Sequence, residues 1–207
     1  MKNLILPFLA VAALLGLAAC GGGGGITGVG TGTTGTTPAK GTLVYTNPTG
    51  YQGQPYQFAL VWDAASTATS LVLDLVGPSA TPAVGVTFAF DVDATKATWA
   101  ASPALVNNGS LFTLGAGTQL AQGWVAGTGG YRLQGIVAQK GLANPIADVG
   151  AGVIGTITLT PVSGATTGTV TLKESLDSTG NVFGTLMDGY GPPATPVHFA
   201  VGTLQLQ

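Results

Sequence analysis

The chain is expected to be all-β, a jelly-roll or Greek-key β-sandwich, and three observations predict this. From Leu43 onward apolar residues recur with period two rather than 3.6. Turn chemistry interrupts them at short intervals, as at Gly77-Pro78, Asn107-Asn108-Gly109, Gly127-Thr128-Gly129-Gly130, Ser163-Gly164 and Gly191-Pro192-Pro193. No long segment carries a helical stripe, and Pro103 limits the alanine-rich run from Ala94 to Ala104 to about a turn.

Taken in order, the strands read as follows. Tyr56, Phe58, Leu60 and Trp62 share one face, which places Trp62 in the core. Leu71, Leu73 and Leu75 form a second buried row, and Val84, Val86, Phe88 and Phe90 a third. Ile157 and Leu159 alternate with Thr156, Thr158 and Thr160, and Val170 and Leu172 with Thr169 and Thr171. Val197, Phe199 and Val201, then Leu204 and Leu206, close the chain. Threonine favours strands and tolerates solvent, so the alternation suits half-buried antiparallel sheets. The first and last strands are expected to lie side by side, and residues 43–65 to form an added hairpin.

The chain has 207 residues, with 34 glycines, 12 prolines, 7% charged residues and a net charge of -2. Without a basic stripe, nucleic-acid binding has no electrostatic support. The single cysteine, Cys20, allows no intrachain disulfide, so the core alone must hold the domain.

Met1-Lys2-Asn3 is a short positive start, and an apolar run follows from Leu4 to Ala19. As a helix this run spans roughly 24 Å, short of the ~30 Å hydrocarbon core, which favours a signal peptide over a membrane span. It ends in Leu17-Ala18-Ala19-Cys20, which resembles the lipobox of bacterial lipoproteins. That resemblance implies cleavage before Cys20, acylation of its thiol and partition into a lipid bilayer. Several acyl chains anchor stably where one does not. Gly21 stands where an aspartate marks inner-membrane retention, so the resemblance points to the outer membrane, with the domain facing either the periplasm or the exterior. Gly21 to Gly41 is nearly all Gly and Thr and cannot bury enough apolar surface to fold. The expected organisation is a signal peptide over 1–19, a lipidated cysteine and flexible linker over 20–41, and one β-sandwich over 42–207.

Within the sandwich, Leu71 to Gly77, Val84 to Phe90 and Asp91 to Trp99 resemble successive strands of the cohesin domains. Gly150 to Thr160, Gly168 to Leu172 and the turn Asp177 to Val182 resemble later parts of the same pattern. The likeness covers roughly residues 70 to 185 and describes strand order more than chemistry. It implies the jelly-roll sandwich that cohesins share with a group of carbohydrate-binding modules. The tyrosine-aspartate-proline step usual after the second strand is replaced here by Asp91-Val92-Asp93-Ala94. Partner-binding residues of cohesins have no identifiable counterparts, so the likeness leaves a protein or polysaccharide ligand open.

Catalysis finds little support. His198 is the only histidine, and its flanks Val197 and Phe199 direct it to the polar side of a strand. No Gly-x-Ser-x-Gly elbow accompanies it. Glu174 is the only glutamate, and Asp91 with Asp93 are too close in sequence to supply the two sides of a glycosidase. No enzyme and no cofactor are expected. Asp91 and Asp93, with Asp177 and Asn181, offer hard oxygens that suit a structural Ca²⁺, and they equally suit turns. Trp124 and Tyr131 flank the Gly127–Gly130 loop and are the candidate ligand contacts, since aromatic faces stack on sugar rings or anchor protein partners. The expected function is a non-catalytic, envelope-anchored binding module, with a self-associating surface or matrix lipoprotein as the alternative.

Overall fold

A computed structural model describes residues 41–52, 56–78, 83–100, 105–106, 119–139, 153–187 and 194–207. Cys20, the signal peptide, the linker before Gly41 and the turns at 107–109 and 191–193 lie outside the described residues. Fifteen strands follow one another: β1 (Leu43–Thr46), β2 (Gln57–Trp62), β3 (Leu71–Val76), β4 (Gly85–Val92), β5 (Ala97–Trp99), β6 (Leu105–Val106), β7 (Gln119–Ala126), β8 (Arg132–Gln139), β9 (Val153–Pro161), β10 (Gly168–Val170), β11 (Leu172–Glu174), β12 (Thr185–Met187), β13 (Thr195–Pro196), β14 (His198–Ala200) and β15 (Thr203–Leu206).

They form an all-β jelly-roll sandwich. One sheet runs β13-β12-β4-β8-β7, with β11 also on β4; the other runs β14-β2-β3-β9-β5, with β6 on β9. A three-stranded sheet, β1-β15-β10, sets the first and last described strands side by side, as the sequence predicted. Among the described residues every strand pairing is antiparallel except β14 with β2.

The alternation seen in the sequence is what closes the sandwich. Leu71, Leu73 and Leu75 from β3 are buried, as are Val86, Phe88 and Phe90 from β4, and Ile157 and Leu159 from β9. Phe88 and Phe90 meet Phe199 at 6.3 and 5.2 Å between ring centroids, and Phe199 meets Phe58 at 5.2 Å. The two main sheets therefore share one aromatic core.

Two expectations fail. Phe58 and Leu60 are buried, but Tyr56 and Trp62 are each 46% exposed. Tyr56 precedes β2 with φ of 57°, which breaks the alternation, and Trp62 is the strand's last residue, exposed although its register partner Leu73 is buried. Residues 43–65 are also no hairpin. β1 pairs with β15, whereas β2 lies between β14 and β3, so the two strands belong to different sheets.

Asp74 points away from the core, opposite Val61 and Thr156, and its Oδ1 is buried with no hydrogen-bond partner among the described residues. Burial, reinforced by the Asp63 carboxyl beside it, pushes its pKa up to about 6. The folded state thus holds a proton that the unfolded chain releases near pH 4. Stability from this site is full below that pH and is lost as pH rises through about 6. Allowing for solvent screening of a part-exposed pair, the loss is about 1 kcal/mol. Urea unfolding should show this decline between pH 4 and 6, and Asp74→Asn should flatten it.

Candidate binding face

The outer face of the β12-β4-β8-β7 sheet gathers side chains that the register sets in rows. Asp91 lies opposite Arg132, Ala89 opposite Gln134 and Thr87 opposite Ile136 across β4 and β8. Trp124 lies opposite Gln134 across β7 and β8, and Thr185 opposite Thr87 across β12 and β4. The opposite-facing residues of the same strands, Phe88, Phe90, Leu133 and Val137, belong to the core.

Trp124 is 48% exposed, and its indole N–H donates to Gln134 Oε1 at 2.8 Å. Beside it is a shallow cleft of about 220 Å³, walled by Trp124, Gln134, Thr87, Ala89 and Phe183. The Thr87 hydroxyl accepts the Thr185 backbone N–H at 3.0 Å and stands 2.7 Å from the Thr185 hydroxyl. These contacts fix the cleft's polar rim.

One end of the face holds its charge. Arg132 donates through Nε and Nη2 to the two Asp91 oxygens at 2.7 and 3.0 Å, and the Ser175 hydroxyl donates to Asp91 Oδ1 at 2.6 Å. The guanidinium also lies 5.0 Å from the Phe183 ring centroid and 5.4 Å from that of Tyr131. Burial alone would raise the Asp91 pKa. Hydrogen bonds from Arg132 and Ser175, with the positive charge of Arg132 and Lys173, outweigh it and hold Asp91 below the usual carboxylate range.

The β7–β8 hairpin presents these groups. Its turn needs three left-handed residues, supplied by Gly127, Gly129 and Gly130, and any side chain at Gly127 would collide with the Tyr131 ring. Tyr131 is half-buried, and its carbonyl accepts the Trp99 indole N–H at 3.0 Å and the Val92 backbone N–H at 2.8 Å. Trp99 itself is buried in the core. Of the two aromatic candidates, Trp124 is the exposed one and Tyr131 fixes the hairpin's position.

The carboxylates go elsewhere. Asp91 is engaged by Arg132 and Ser175, while Asp93 Oδ1 accepts the Thr95 backbone N–H and hydroxyl at 3.1 and 2.6 Å. Asp177 receives the Thr179 hydroxyl at 2.7 Å and the Thr179 and Asn181 backbone N–H groups at 2.8 and 2.9 Å, which hold its pKa at about 2. Among the described residues no three His, Cys, Asp or Glu side chains gather to hold a metal ion. His198 is exposed, with Nδ1 3.3 Å from Glu174 Oε2.

Phe183, Arg132, Gln134 and Thr87 were not picked out from the sequence. The clue available was the alternation of Leu133, Gly135 and Val137 in β8, which sets Arg132 and Gln134 outward.

Scans against protein-family models and against curated proteins find no match. Solved structures do match. A type II cohesin–X-dockerin complex from Acetivibrio cellulolyticus, an N-terminal interface mutant, aligns at TM-score 0.53 and 14% identity, over 70% of this chain and 93% of that one. The second type II cohesin module of the adaptor scaffoldin ScaA from the same organism aligns at 0.53 and 14%, over 69% and 90%. The fold is a cohesin-type jelly roll. At such identity the likeness is one of architecture, so the chemistry of the face rests on this chain's own residues.

Replacing Arg132 with Ala should release Asp91. Its pKa should rise, because the guanidinium no longer opposes burial and only the Ser175 hydrogen bond and the Lys173 charge still lower it. A carbon-detected NMR titration of the Asp91 carboxyl reads the shift, and an unchanged value would show that the pair does not hold it. The accompanying stability loss, about 1 kcal/mol, should be present at neutral pH and vanish on acidification through the native Asp91 pKa.

Proposed function

We propose that this chain is a non-catalytic binding module, held at the bacterial cell envelope by acyl chains on Cys20, that takes a protein partner on the outer face of the β12-β4-β8-β7 sheet. Exposed Trp124 beside a preformed cleft carries the reading. Tryptophan and arginine are the residues that most often dominate binding energy, and both stand here already oriented by hydrogen bonds. A similar fold in the Acetivibrio complex engages an X-dockerin, which supports a protein ligand. The lipobox at Leu17-Ala18-Ala19-Cys20 and the Gly/Thr stretch behind it support an outer-membrane tether that holds the domain clear of the lipid. The indole beside Gln134 and Thr87 also suits a pyranose ring, which makes polysaccharide the second ligand class to test.

Affinity capture from the native envelope with the intact chain should recover a protein that Trp124→Ala binds about thirtyfold more weakly, the effect of losing a central anchor of about 2 kcal/mol. Equal capture by both chains sinks the face. Retention on a glycan array that Trp124→Ala abolishes would transfer the reading to polysaccharide. Mass spectrometry of native material should find the mature chain beginning at an acylated Cys20. An unmodified thiol there removes the tether.

A further inference from the structure

We infer that β7 is an association edge that takes β7 of a second copy of this chain. β7 ends its sheet: it pairs with β8 along its full length from Gln119 to Ala126, and β8 is its only partner among the described residues. β6 lies near β7 but pairs with β9. The other outer strands are short. β5 and β14 have three residues each, and β13 has two, one of them Pro196. An eight-residue edge without proline or charge is the kind that proteins otherwise blunt. Charge is missing well beyond the strand, since no Asp, Glu, Lys or Arg occurs from Ala97 to Tyr131. Two of the exposed large apolar side chains, Trp124 and Val125, sit on this strand, one toward each face.

The occupant follows from closure. A foreign peptide added to β7 would leave its own far edge unpaired. A second copy related by a two-fold axis pairs both edges at once and ends growth there. With no charge on either strand, nothing repels the copies at the contact. Antiparallel partners must also share a sheet face, which restricts the axis to registers centred on a residue. Gln122 is exposed and central, and a register centred on it sets Gln122 opposite Gln122 of the second copy. The contact uses the strand's edge and does not depend on what the neighbouring face binds.

Sedimentation velocity of the mature chain from residue 20, carrying Cys20→Ser, across a wide concentration range, tests this. The parent should form a dimer. Gln122→Lys and Gln122→Glu should each associate roughly tenfold more weakly, because like charges then meet at the axis, and an equimolar mixture of the two should restore the dimer. A parent that stays monomeric overturns the inference, as do charge variants that dimerise like the parent or a mixture that stays monomeric. If a charge variant loses its β-sheet circular dichroism, Gln122→Cys decides. Antiparallel partners lie about 4.5–5.5 Å apart at Cα, within disulfide range, so mild oxidation should link the copies. Absence of that link also overturns the inference.

Discussion

Four phenylalanines fasten the two main sheets, and much else depends on that contact. Phe58 and Phe199 come from one sheet and Phe88 and Phe90 from the other. Since β4 carries Phe88 inward and Thr87 and Ala89 outward, the packing that seats the ring also sets the outer cleft. The fit is close: a single methyl at Gly135 would collide with the Phe88 ring. Gly135 lies opposite Phe88, directly beneath the cleft, where its missing side chain makes room for the ring. Core and face are therefore two sides of one constraint, and a change in the ring's seating would reshape the cleft.

Polar bridges then fix what apolar packing leaves free. Glu174 on β11 accepts the backbone N–H of Phe199 on β14 at 3.0 Å, tying the two main sheets at one edge. Trp99 on β5 ties the β7–β8 hairpin to the opposite sheet through the Tyr131 carbonyl. Tyr45 on β1 donates to the Leu60 carbonyl at 3.0 Å and accepts the Gly202 N–H at 2.6 Å, so the three-stranded sheet is pinned to β2. Hydrophobic contact is non-directional, whereas each of these bonds selects one geometry. The exposed end of the face inherits its order from them.

The sequence made the buried rows of β3, β4 and β9 legible because period-two alternation is local and each row is covered by the opposite sheet. It also placed His198 outward and β1 beside β15. The same rule misplaced Trp62, since alternation says which side a residue takes but not whether the last residue of a strand is covered. It pointed to Trp124, which is exposed, through the glycine loop beside it, but gave no sign of Arg132 and Phe183. Asp91 and Arg132 are 41 positions apart, and Ser175 reaches Asp91 across 84. Such partnerships are set by register between distant strands, and neither composition nor spacing records register.

Charge scarcity gives the face its character. The one ion pair on its β4–β8 ladder is internally neutralised, with the carboxylate and guanidinium bound to each other, so Arg132 offers a partner a flat cation backed by aromatic rings more than a long-range field. Association at such a surface gains little from electrostatic steering and should depend weakly on salt. On the proposed reading, discrimination comes from fit to the Trp124 cleft and from the amide and hydroxyl groups on its rim, which penalise a partner that leaves them unpaired. Without steering, encounter rates are limited by orientation and local concentration. The proposed tether would confine the domain to a membrane surface and raise that concentration without adding a contact. The proposed tether and the nearly uncharged face are in this sense complementary, because the first supplies the encounter that the second does little to attract.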